Sequence, residues 1–130
     1  MYGTNVTLYL ANQAALNMSG STQSQLTAPS TGVLAGFVVF GDGSGNNLQS
    51  QLSGSVGAWF NGIVYLPKQQ ISLSGSSSNT VPPYTAYVAD TVSLSGSSTI
   101  QIGSDTSTFG STIPTSVSAL SGSSSLRLTN

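Results

Sequence analysis

The sequence predicts an all-β domain wound as a short β-solenoid, a parallel β-helix with coils of about 21 residues and two loop excursions. Three observations carry this. Leu-Ser-Gly-Ser begins at Leu52, Leu73, Leu94 and Leu120, in steps of 21, 21 and 26 residues, and a fixed step near twenty is one solenoid coil. Each repeat holds only two or three apolar residues per short strand, too few to bury alone, so neighbours must stack to make a core. Ser and Gly crowd the repeat ends, where tight turning needs small or permissive residues. The competing architecture is a β-sandwich, with strands every 8 to 12 residues.

A chain of 130 residues makes one domain. Its first coils span about 5–60, its best-formed coils 61–102 and a C-terminal coil or cap 103–130. In order, Val6, Leu8 and Leu10 alternate with Thr7 and Tyr9, the period of a half-buried strand. Residues 12–16 have room for one helical turn at most, and Ser19-Gly20-Ser21 is an irregular first copy of the repeat. Residues 25–29 give a short edge stopped by Pro29, and the apolar run 32–40 reads as a strand buried on both sides. Residues 41–51 form a Gly- and Asn-rich loop in which Asp42 is a turn residue. Trp59-Phe60 is the strongest hydrophobic anchor, read as core or end-cap packing before a sugar-stacking platform.

The runs Ile63–Leu66 and Ile71–Leu73 form one unit with a corner at Pro67, which cannot donate to a ladder. Residues 86–89 and 92–94 repeat it after the excursion 75–84, and stacking places Asp90 near Lys68 for a surface ion pair worth about 0–1 kcal/mol. Ile100 and Ile102 add one more alternating strand.

Composition limits the chemistry. Charged residues are 4% of the chain, against roughly 25% in ordinary soluble domains. With net charge −1 there is no basic face for nucleic acid or anionic membrane. No apolar run approaches the roughly 20 residues of a membrane-spanning helix, and no leader is visible at residues 1–4, so an export segment is expected upstream. Absence of Cys and His removes disulfides, thiolate or imidazole metal sites, and any Ser–His pair. Asp42, Asp90 and Asp105 lie in three separate stretches with no Glu, so paired-carboxylate glycosidase chemistry lacks its groups. No catalytic, cofactor or metal residue is assigned, and an enzyme is not expected. Trp59, Tyr65 and Tyr87 are the candidate surface-binding residues, with a glycan as their ligand. Ice binding by a Thr/Ser face is the weaker variant, because no Thr-x-Thr ladder recurs at the 21-residue step.

Five stretches, N-V-T-L-Y-L, L-T-A-P-S-T-G-V-L-A-G-F-V-V-F, F-N-G-I-V-Y-L-P-K-Q-Q-I-S-L-S-G-S-S, Y-V-A-D-T-V-S-L-S-G-S-S and the terminal S-L-R-L-T-N, give the chain a further reading. In this order they resemble the C-terminal region of TadG-like proteins, of the TadE/TadG group in bacterial Flp (tight-adherence) pilus assembly. The resemblance covers the chain from about Asn5 onward. It implies a non-catalytic structural module, outside the cytoplasm at the cell surface or in the periplasm, following an N-terminal membrane anchor. Its implied partners are other pilus or cell-envelope proteins, or further copies of itself. Members often carry a Cys just before the V-A-D segment; here Tyr84-Thr85 stands there, so any disulfide in that loop is lost.

Overall fold

The computed structural model describes residues 1–20, 24–44, 46–54, 58–76, 82–97, 102–105, 107 and 109. Among them there is no helix, and eight strands run in chain order: β1 Tyr2–Gly3, β2 Leu8–Leu10, β3 Asn17–Met18, β4 Ser24–Thr27, β5 Phe37–Gly41, β6 Leu48–Gly54, β7 Ala58–Ser76 and β8 Thr85–Ser97. Every strand pairing is parallel. With no antiparallel neighbours, each strand must be followed by a path back to its own start, and that is a solenoid. The β-solenoid predicted from the repeat is the fold.

Strand β7 is the hub. Its first residues pair with β4, with Leu26 beside Phe60; its middle pairs with β5, with Val39 beside Val64; its last part pairs with β6, with Leu52 beside Leu73. Its other edge pairs with β8 from Gly62↔Thr85 to Ser76↔Ser97. Gly62 is the corner where β7 leaves the β1–β4 sheet for the other one. Its φ of 143° and a virtual Cβ 2.7 Å from the Ala28 Cβ both require glycine there.

Side chains at one register position form columns across the coils. The core columns are Leu26–Phe60, Leu8–Val39–Val64–Tyr87 and Met18–Leu52–Leu73–Leu94. Burial follows: Leu26, Val39, Phe60, Val64, Leu66 and Ile71 are each at most 3% exposed. The 21-residue step is therefore the ladder itself: Leu52, Leu73 and Leu94 stack in register, and so do Gly54, Gly75 and Gly96. The fourth repeat, at Leu120, lies outside the described residues, as do most of the predicted C-terminal coil and Ile100.

Several local expectations change. Leu-Ser-Gly-Ser is not a turn after a strand but the paired end of one. Pro67 does not stop β7. It sits where the β7–β8 register slips between Leu66↔Ala89 and Gln70↔Thr91, so that Pro67, Lys68 and Gln69 face Asp90 alone. Within that bulge Lys68 and Asp90 are both exposed and make no ion pair. The apolar run 32–40 is a strand only from Phe37 onward, because Gly32 and Gly36 take positive φ and close a turn that leaves Val33 fully exposed. Residues 12–16 form no helical turn, since Asn12 and Gln13 are left-handed corner residues. The segment 25–29 is not an edge, because β4 lies between β1 and β7. Ile102 is exposed outside any strand.

Candidate functional site

The ionisable side chains are spread across the coils. Asp42 follows β5 in an exposed turn, where its carboxylate accepts Ser44 N–H at 2.8 Å, the Ser44 hydroxyl at 2.5 Å and Asn12 N–H at 3.3 Å. The Ser44 hydroxyl, then the Ser44 amide, hold its pKa below the ordinary carboxylate range. The carboxylate pins one turn to the corner of the coil before it. Asp105 does the same locally: the Ser107 hydroxyl and amide lower its pKa, the amide at 2.9 Å. Asp90 is exposed on β8. No set of three His, Cys, Asp or Glu groups with metal-binding geometry occurs among the described residues.

The three candidate binding residues separate. Trp59 occupies β7 opposite Gln25, and its side chain lies outside the described residues. Tyr65 is half-buried in an outward ladder, stacked on Phe40 at 5.2 Å with 19° between rings; Phe40 in turn stacks on Tyr9 at 5.8 Å and 10°. Phe37 meets Phe40 and Tyr65 edge-on. Such pairs each contribute about 0.5–1.5 kcal/mol beyond area burial. A ring that spends a face on its neighbour has less to offer a sugar, so the ladder is first a clamp between coils. Tyr9, 56% exposed, stands at its open end. Nothing in the sequence marked Tyr9, Phe37 and Phe40 as partners, because loops of unequal length hide their common register.

Tyr87 is half-buried. It shares the inward column of Leu8, Val39 and Val64, and burial pushes its phenol up to about 12 from the ordinary 10.0. A raised phenol pKa means that the unfolded chain releases this proton first. Stability is thus complete below about pH 10 and falls as pH rises toward 12. Denaturant midpoints should drop across that window, and Tyr87→Phe should flatten the loss. An unchanged slope in the variant would place the effect elsewhere.

No family model, curated protein or solved structure matches this chain. Geometry must carry the functional reading.

The outward columns of the second half of each coil are uncharged: Gln49–Gln70–Thr91, Gln51–Ser72–Ser93 and Ser53–Ser74–Ser95. They alternate with buried Ser50, Leu52 and Ile71, as a pleated strand requires. Among the described core residues the Tyr84 hydroxyl is buried without a hydrogen-bond partner, whereas Ser50, Gln69, Asn61 and Thr85 are paired. Ser50 donates its hydroxyl to Gln69 Oε1 at 2.7 Å and accepts Leu16 N–H at 3.0 Å; Gln69 Nε2 donates to the Ala14 carbonyl at 3.0 Å. Asn61 Oδ1 accepts Tyr84 N–H at 3.2 Å, and the Thr85 hydroxyl donates to the Phe60 carbonyl at 2.5 Å. These groups clasp coil to coil.

Proposed function

We propose that this chain is a non-catalytic structural module of a bacterial cell-surface or pilus-assembly protein. The supporting observation is a stack whose buried Ser50, Gln69, Asn61 and Thr85 side chains serve internal clasps while its aspartates stay exposed and apart. The resemblance to TadG-like proteins supplies the pilus context and an extracytoplasmic location, and both belong to this proposal. Its partners are then other envelope proteins or further copies of the chain. Surface biotinylation of intact host cells, with a cytoplasmic protein as control, tests the location. Labelling only after lysis would sink it.

A second reading, a carbohydrate- or surface-binding module, is favoured by the neutral Gln, Ser and Thr columns. They present donors and acceptors without charge at the regular spacing of a sheet. If this reading holds, a glycan array finds a ligand and Trp59→Ala weakens it by about 1–3 kcal/mol, as loss of a buried aromatic contact would. An empty array would remove the reading.

A further inference from the structure

We propose that β8 is the joining face for a second copy of this chain, whose first coil continues the stack head to tail. The inference rests on the scaffold reading and names its partner.

Burial in the second half of β8 runs opposite to the rest of the stack. Val92 and Leu94 occupy the core-side positions, yet they are 46% and 50% exposed. One coil earlier Ile71, at the register of Val92, is 2% exposed. Val88 ends the Tyr9–Phe40–Tyr65 column and is 41% exposed. Among the described strands β8 pairs with β7 alone. The described chain beyond it does not prolong the parallel stack: Ser104 bridges Tyr84 in antiparallel sense, at the start of β8, and Phe109 packs on the Tyr84 ring. Val92 and Leu94 on the core side, and Val88 at the end of the outward ladder, are left without a described cover.

The opposite end of the molecule carries the matching pattern. Through the columns, Leu8 and Tyr9 stand at the register of Tyr87 and Val88, and Asn17 and Met18 at that of Ser93 and Leu94. A copy set one strand spacing beyond β8 would lay Tyr9 on Val88 and Met18 on Leu94, the contacts made at every internal level. Charge does not oppose it: Asp90 is the one charged residue on β8, and β2 and β3 have none. Natural edge strands are commonly blunted by charge, and this one is nearly bare of it. The two joining faces differ and lie at opposite ends, so the contact is heterologous and does not close.

The full chain has no cysteine, which makes crosslinking clean. In one molecule Asn17 and Ser93 are three strand spacings apart, roughly 14 Å, beyond disulfide reach. Mild oxidation of the Asn17→Cys, Ser93→Cys double variant should therefore give a ladder of multimers. Mixed single variants should form the Asn17–Ser93 heterodimer in excess of either homodimer. Without oxidation the weight-average mass in sedimentation should at least double as concentration rises, and Leu94→Lys, at an already exposed position, should hold it at one chain with an unchanged melting temperature. A mass that never rises, with no heterodimer, would overturn the inference. If β8 amides were then protected from hydrogen exchange, the cover would be the chain's own residues 111–130; if unprotected, the edge would be bare. A chain labelled at the cell surface yet monomeric would overturn this inference and leave the scaffold reading intact.

Discussion

Gly62→Ala should cost roughly 2–5 kcal/mol, the sum of a strained φ and an overpacked corner. At φ 143° the residue sits where side-chain-bearing residues rarely go, and the added methyl would lie 2.7 Å from the Ala28 Cβ, 3.0 Å from the Gly36 carbonyl oxygen and 3.3 Å from the Val38 Cβ. That carbonyl cannot simply retreat, because it accepts Ile63 N–H at 2.7 Å, while Gly62 N–H itself donates to Tyr84 at 2.9 Å. Relief on one side breaks a bond on the other. For a domain of this size a loss of that order lowers the melting temperature by roughly 5–20 °C, and a variant melting within a degree or two of the parent would refute the account. Gly43→Ala is a useful contrast. That glycine also has positive φ, but a Cβ there meets nothing within 4 Å, so only the smaller backbone penalty of roughly 1 kcal/mol applies.

Gln69→Ala should destabilise by about 2–4 kcal/mol, through a cavity and the loss of one buried and one part-buried hydrogen bond. Gln69 and Ser50 are 5% and 2% exposed, so water does not readily replace the missing amide. Gln69→Leu keeps the volume but strands the Ser50 hydroxyl hydrogen and the Ala14 carbonyl, and should still cost about 1–3 kcal/mol. Gln69→Glu should be no better, because an oxygen would replace Nε2 against the Ala14 carbonyl. The Leu variant separates the two causes: parental stability in urea would show that volume alone matters. Hydrogen exchange supplies a second readout, since the Leu16 amide donates to the Ser50 hydroxyl that Gln69 orients. Its protection should fall in all three variants.

Both positions show what could be read in the chain before its structure. The stacking of Leu52, Leu73 and Leu94 was legible because a repeat of fixed length announces its own register. The neutral composition was legible as an argument against paired-carboxylate and His-based chemistry. Corners were not. Nothing in the sequence marks Gln69 as internal, and only the fold brings Ser50 and Ala14 to it across sequence gaps of 19 and 55 residues. Short aromatic strands carry no mark of which face meets the core, so the sequence alone does not place Tyr87 in the inward column. The register slip at Lys68 separated a charge pair that equal coils would have joined. Local patterns specify strands, whereas closure of the coil decides which side is inside.

The hub position of β7 has a consequence for how the molecule is made. The described residues up to Gly54 pair among themselves in three separate two-stranded ladders, β1 with β4, β2 with β5 and β3 with β6. Isolated two-stranded ladders are at best marginal in water. Strand β7 joins all three at once, through Ala58–Asn61, Phe37's partner Ile63 and the run from Gln69. A ribosome that has released everything before Ala58 has therefore delivered the parts of a scaffold without the beam that holds them. The first two-fifths of the chain wait for the next nineteen residues.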